Sequence, residues 1–310
     1  MESTRNITFE VTDEYEGKQI KDVLKNKLLL SSREISHAKA FADGILVNNN
    51  HQNVLYKLKS GDILSVTMHE KIEKSSEIVP IKGDLNIIYE DEDILILNKS
   101  PGVVVHPIKN YFDNSLSNYV AYHYKENNEE HIIRPIGRLD RETSGLIAFG
   151  KNRLSANILN KQGDDGSRVK EYMALCHGVF KESKGIVDAP IGETPGVKMV
   201  RMVRDDGDKS VTHYEVVSQK KNFALVRLRL ETGRTHQIRV HMKHIGHELL
   251  GDSLYSKDIL DLFDIKRCAL HSSHMEIIHP ITGEKMTFDA NLPDDIKSEL
   301  QKADKDNERI

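Results

Sequence analysis

The chain contains no tryptophan, only two cysteines and few aromatic residues (6%) in 310 positions. Cys176 and Cys268 lie in apolar stretches and read as reduced core residues, so a disulfide scaffold is excluded. No apolar run approaches the ~18 residues of a membrane helix, and no membrane partner is expected. The N-terminus, MESTRNITFEVTDEYEG, is polar and acidic. It lacks the basic and apolar regions of a secretory or transit peptide, and a cytoplasmic protein is expected. Glycine-rich phosphate signatures are missing too. The segments S-P-G and E-T-G-R read as turns, with no Walker or dinucleotide pattern. An excess of positive charge is also absent. Lys and Arg total 44 against 48 Asp and Glu, a net −4, which argues against a broadly basic nucleic-acid binder.

What is present is locally organised. Basic residues crowd some stretches (Arg134, Arg138, Arg141, Lys151, Arg153; Arg227, Arg229, Arg234, Arg239, Lys243), while acidic ones crowd Glu126 to Glu130 and Asp205 to Asp208. That distribution predicts a locally basic cleft on an acidic protein. The length suits one large domain and one small one. Residues 17 to 68 read as a compact unit. Ile20, Val23, Leu24 and Leu28 fall at helical spacing, Ser31 caps a second helix through Ala42, and strands follow around an Asn48-Asn49-Asn50 turn. Residues 69 to 84, around Ser75-Ser76, read as a linker.

Beyond the linker, strands and helices alternate. Ile87 to Leu97 suggests a hairpin, Leu116 to Tyr124 and Arg153 to Lys161 suggest helices, and Phe223 to Leu230 a half-exposed strand. Thr235 to Ile245 should be a helix with Ile238, Met242 and Ile245 inward. From about Lys297 the residues read as a charged, frayed tail. The expected class is α+β.

Gly137-Arg138-Leu139-Asp140-Arg141-Glu142-Thr143-Ser144-Gly145-Leu146 carries the chemistry. It places a carboxylate in an Arg-flanked turn before a buried run. A neighbouring guanidinium favours the charged form of a carboxylate, which suits a nucleophile or base. Alone, such an Asp is more often a helix cap or a surface ion pair.

The stretch GRLDRETSGL resembles the catalytic motif of the RluA-type pseudouridine synthases, which isomerise uridine within RNA. Further stretches resemble that family in order: Ile96 to Pro107, Val169 to Leu175, Thr232 to His241, and Cys268 to Glu284. Gly137 stands where the compared branch usually has His, and Ser100 where it has Pro or Ala. The N-terminal pattern resembles the small RNA-binding domain of the ribosomal-protein S-four type, with Arg33 and Lys39 on its second helix. The resemblance implies a pseudouridine synthase fold, a mixed, mostly antiparallel sheet with flanking helices, plus a small N-terminal α/β RNA-binding domain. The implied division is 1–72 for that domain, 73–84 for a linker, 85–296 for the catalytic domain and 297–310 for the tail.

The reaction breaks the bond from ribose to ring nitrogen, rotates the uracil and joins the ribose to ring carbon 5. No cofactor or metal is implied. By the resemblance, Asp140 is the nucleophile or base, Arg234 pairs with it, and Tyr172 stacks on the target base. Arg138 would fill the space of a flipped uridine, whose extraction costs a few kcal/mol. Lys99, His106, His236 and Arg239 would bind the RNA backbone or support the site. The expected partner is structured RNA, large-subunit ribosomal RNA ahead of transfer RNA, acted on by a monomer.

Two rivals stand beside this reading. One is a non-catalytic RNA-binding or ribosome-assembly factor. The other is a metal-dependent hydrolase built on His241, His244, His247, His271 and His274. Residues at i, i+3, i+6 rotate around a helix, and Gly246 interrupts that array.

Overall fold

Apolar Ile7 and Phe9 alternate with polar Asn6, Thr8 and Glu10, and this period of two forms the first strand, β1 (Glu2–Glu10). The computed structural model describes residues 2–71, 78–107, 113–197 and 199–307. β1 pairs antiparallel along its whole length with β4 (Ile63–Lys71), from Glu2↔Lys71 to Glu10↔Ile63. Between them lie α1 (Ile20–Asn26), α2 (Ser32–Ala38), β2 (Ile45–Val47) and β3 (Asn50–His51), in a sheet of order β1-β4-β2-β3. Ser31 caps α2 in a reciprocal box with Glu34, but the helix ends at Ala38 rather than Ala42. Asn48 and Asn49 both take left-handed φ, 51° and 63°, the geometry that a tight hairpin needs.

The second body is built on a large sheet. Its strands are β5 (Ile87–Glu90), β6 (Ile94–Lys99), β7 (Pro135–Ile136), β8 (Ser144–Gly150), β9 (Val169–His177), β10 (Lys184–Asp188), β13 (Val211–Gln219), β14 (Phe223–Leu230), β15 (Leu270–Ile278) and β16 (Lys285–Asp289). The order is β10-β13-β14-β9-β15-β8-β6-β5, with β16 on β15 and β7 on β8. Among the described residues the β8–β15 ladder is parallel and the rest of the sheet is antiparallel. A separate hairpin, β11 (Ile191–Glu193) with β12 (Arg201–Val203), stands beside it. The protein is thus α+β.

Alternation on the central strands separates two cores. Leu95, Leu97, Ile147 and Phe149 face α3 (Leu116–Glu126) and α5 (Gln237–His244). Ile94, Ile96, Leu146 and Ala148 face α4 (Arg153–Asp164). The residues read as a charged tail instead form α6 (Asp294–Asn307). Ile296 is fully buried, and Leu300 and Ala303 pack beside it, so a narrow apolar stripe holds this otherwise polar helix.

The two bodies are docked. Leu154 and Ile158 of α4 belong to the core of the N-terminal unit. Arg5 donates through Nε and Nη2 to Asp93 at 2.9 and 2.7 Å, Arg134 pairs with Glu70, and Asn157 donates to Glu34 at 3.0 Å. Ser75-Ser76 of the expected linker lie outside the described residues.

Candidate active site

The turn before β8 is clamped from several sides. Leu139 is buried in the main core and fixes the turn's direction. Thr143 N–H donates to Asp140 O at 3.1 Å. The Lys99 ammonium, itself buried, donates to the carbonyls of Ser100, Val103 and Arg141 at 2.9, 2.8 and 3.1 Å. Burial pushes this ammonium down to about 7, with Arg267 adding to the effect and Asp140 opposing it. The RNA-binding role expected of Lys99 is therefore corrected, since its donors are turned inward onto backbone. Gly145 takes φ +108°, and a Cβ there would sit 2.1 Å from the Ser272 carbonyl oxygen. The parallel approach of β8 to β15 requires glycine at that point.

On the other wall the loop from Thr232 to His236 leads into α5. Gln237 ties it down. Its Oε1 accepts from Thr232 Oγ1 and Arg234 N–H at 2.8 and 3.0 Å, and its Nε2 donates to Val211 O and Thr212 Oγ1 at 2.9 and 3.1 Å. His236 takes a left-handed φ of 59°, rare for a residue with a side chain. This bend sets the phase of the helix and brings Arg239 to the inside.

The pairing expected between Arg234 and Asp140 is consequently corrected. Arg234 is exposed and turns to the Lys209 carbonyl at 3.3 Å and to Asp208 at 3.7 Å. Arg239 takes the inner place. It donates from Nε and Nη2 to Asp252 at 2.7 Å each, and its Nη1 lies 3.4 Å from Asp140 Oδ2. Burial is the largest single effect and works against this charge, but the Asp252 hydrogen bonds together with the charges of Asp252 and Asp140 hold the guanidinium above its ordinary value. With only 6% of its side chain exposed, Arg239 holds up the carboxylate rather than an RNA backbone, so its expected RNA-binding role is corrected as well.

Asp140, 27% exposed, looks into a small cavity walled by Leu139, Tyr172, Leu230, Ile238 and Leu270. Tyr172 on β9 is buried in that wall, and burial, reinforced by the Asp140 charge, pushes its phenol up to about 12. The cavity opens into a cleft of about 920 Å³ through shared lining residues, among them Arg138 and Arg234. Arg138 is exposed at the rim and donates to Thr235 Oγ1 at 3.0 Å. His236 Nε2 lies 3.8 Å from Asp140 Oδ2. His106 is exposed, 3.4 Å from Ser117 Oγ, and is not among the described residues that line the cleft. Arg33 and Lys39 are exposed on the N-terminal unit, where Arg33 borders a groove with His37, His69 and Arg153.

Among the described residues, none of His241, His244, His247, His271 and His274 belongs to a group placed to hold a metal. His241 is held by Thr212 Oγ1 and the Ala189 carbonyl at 2.8 and 2.9 Å, and His271 by Ser144 Oγ and the Ala290 carbonyl at 2.9 and 3.2 Å. His247 stacks on Phe180.

The family model for RNA pseudouridylate synthase matches residues 93–244, which span both walls of this site. A Bacillus subtilis protein described as an uncharacterized RNA pseudouridine synthase, YjbO, is 39% identical over 87% of this chain and 94% of its own length. The chain belongs to the RNA pseudouridine synthase family. It is therefore an isomerase. The ribosomal large subunit pseudouridine synthase D of Buchnera aphidicola subsp. Schizaphis graminum is 36% identical over 92% of this chain and 94% of that one. In fold it is similar to human RNA pseudouridylate synthase domain containing 4, with a TM-score of 0.58 and 22% identity over 70% of this chain and 92% of that one.

In this synthase the expected basic cleft is only partly built. The cleft holds Arg138, Arg168, Lys170, Arg201 and Arg234, but also Asp164, Glu193, Asp208 and Glu231. Many basic residues counted in the sequence are engaged elsewhere: Lys151 with Glu90 and Glu129, Arg134 with Glu70, Arg227 with Glu215. Lys170 lies two residues before Tyr172 on β9, and burial lowers its ammonium to about 7, with Arg168 adding to the effect. The sequence reading missed Asp252 and Tyr255, which support Arg239 from behind. Their only local signal is the Gly251-Asp252 turn after an apolar pair.

Proposed function

We propose that the synthase isomerises specific uridines of large-subunit ribosomal RNA, with Asp140 as the reacting carboxylate. The observation that carries this reading is the placement of Asp140. It sits in an apolar-walled cavity between the Tyr172 ring and the Arg239 guanidinium, open to a cleft of about 920 Å³. The ribosomal substrate rests on likeness to relatives named for that activity over nearly the whole chain.

The chemistry follows from the geometry. Arg239 and His236 both face Oδ2, which leaves the other carboxylate oxygen for the nucleotide. That oxygen attacks the ribose or removes a ribose proton as the bond to ring nitrogen breaks. The freed uracil rotates against Tyr172. A phenol pushed up to about 12 remains protonated near pH 7, so Tyr172 acts as a stacking surface rather than a base. Joining carbon 5 to the ribose breaks the ribose–carboxylate bond, or takes back the ribose proton, and frees the carboxylate. The carbon 5 proton then passes to that carboxylate or to solvent, and ring nitrogen 1 takes up a proton, so no proton is gained or lost overall. The uridine must leave its stack to reach this depth, and Arg138 at the rim occupies the vacated space. Arg33 and Lys39 serve the N-terminal unit as an RNA clamp of the S-four type.

The test is a map of pseudouridine across cellular RNA in cells lacking the gene, complemented with wild type or Asp140→Asn. A large-subunit site that vanishes and returns only with wild type supports the reading. No change at any ribosomal uridine overturns the substrate.

A further inference from the structure

We propose that Tyr255 is a positioning residue that fixes the protonation pattern of His236, so that His236 presents an N–H to the reacting carboxylate. The inference rests on Asp140 being that carboxylate.

Tyr255 is buried. Arg201 backbone N–H can only donate, and it meets Tyr255 Oη at 2.9 Å. The same oxygen lies 2.9 Å from His236 Nδ1. Two arrangements satisfy those distances. In the first, the oxygen accepts from Arg201 and donates its proton to Nδ1. In the second, it accepts from both, and its own O–H is left buried without an acceptor among the described residues. A buried unsatisfied donor costs about 1–3 kcal/mol, so the first arrangement wins. A neutral imidazole that accepts at Nδ1 carries its proton on Nε2. Nε2 is the nitrogen that faces Asp140 Oδ2, at 3.8 Å.

The surroundings keep the ring neutral. Burial lowers its affinity for a second proton. The charged groups facing it divide, with Asp140 and Asp252 favouring protonation and Arg239 and Arg201 opposing it. Tyr255 also lies under the Arg239 guanidinium, 4.9 Å from ring centroid to carbon, and its N–H donates to Asp252 at 3.2 Å. One residue thus backs both donors that aim at Oδ2. The 3.8 Å separation is longer than a hydrogen bond, as catalytic contacts often are before substrate arrives, and it closes when RNA fills the cleft. The left-handed backbone of His236 fits this role, since strain at a non-glycine residue is retained where the surrounding structure imposes it.

The test has two arms. In the first, nitrogen spectra of the His236 imidazole are recorded in the uniformly labelled full chain and assigned by their loss in His236→Gln. A neutral ring at pH 7 with its proton on Nε2 is expected. A proton on Nδ1, or an imidazolium at pH 7, overturns the proposal. In the second, Tyr255→Phe keeps the ring under Arg239 but removes the hydroxyl. The expected result is a kcat about tenfold lower with KM for RNA little changed, and an acid limb of the kcat profile that moves. A variant with wild-type kcat and pH profile overturns it. If Tyr255→Phe does not fold, the wild-type spectrum decides alone. That spectrum does not depend on turnover. If Asp140→Asn stays active while His236 holds its proton on Nε2, the reading of Asp140 fails and the Tyr255–His236 arrangement stands.

Discussion

Asp252 is not among the described residues that line the cleft, yet the placement of Arg239 against Asp140 depends on it. It is fully buried, and its carboxylate receives Nε and Nη2 of Arg239 at 2.7 Å each. Asp252→Asn preserves shape but replaces one acceptor oxygen with an N–H₂ group that faces the guanidinium. Breaking one side of a buried ion pair costs about 3–5 kcal/mol, and the amide's remaining acceptor places the expected loss near the lower end. Arg239 then loses its fork, and Nη1 moves from its place 3.4 Å from Asp140. A misplacement of about 1 Å is worth about 100-fold in rate, and that is the expected fall in kcat. Affinity for RNA should be unchanged. Stability is read by urea unfolding and kcat by release of tritium from carbon 5 of labelled uridine. Arg239→Met provides the control, because Asp252→Asn made in that background no longer breaks a pair. The expected coupling is about 2 kcal/mol or more. Additive losses, or a single variant with wild-type stability and turnover, would refute the reasoning.

Three further outcomes follow from the packing. Gly145→Ala drives a Cβ into the Ser272 backbone, so the variant is expected to be destabilised by more than about 3 kcal/mol, or not to fold, in thermal unfolding. Lys99 sits at about 7 when folded and near 10.5 when unfolded, so the unfolded chain holds the extra proton in between. Its contribution is complete above about 10.5 and is lost as pH falls through 7, so wild-type stability rises with pH across that window. Lys99→Met should show a shallower rise in urea melts at several pH values. Deleting residues 1–71 uncovers Leu154 and Ile158, each worth about 1.5–3 kcal/mol of burial, so the remainder should melt earlier than the full chain and not merely bind RNA less well.

The sequence showed most where geometry is local. The Asp140 turn, the Tyr172 strand and the Ser31 cap each rest on neighbouring residues. Choosing between Arg234 and Arg239 does not. Both lie in one short motif, and the inner one is selected by the left-handed His236 and by Asp252, which approaches from beyond the helix. The charge count misled for a similar reason. A lysine reads as a solvent cation until its partners are known, and Lys99 and Lys151 find theirs on other segments. Two misses were legible. Ile296, Leu300 and Ala303 repeat at helical spacing within α6, and Ile7 and Phe9 alternate within β1, but the polar residues around each obscured the period. The β11–β12 hairpin is too short to leave a pattern.

The proposed mechanism turns on a reacting Asp140 carboxylate. Its most direct test is a single-turnover experiment with enzyme in excess over a large-subunit ribosomal RNA fragment labelled at carbon 5 of uridine. Wild type and Asp140→Asn are compared for tritium release, for pseudouridine formed and for RNA affinity. No release and no pseudouridine are expected from the variant, with Kd within about threefold of wild type, a change under about 1 kcal/mol. Pseudouridine formed by Asp140→Asn at a rate near that of wild type would contradict it.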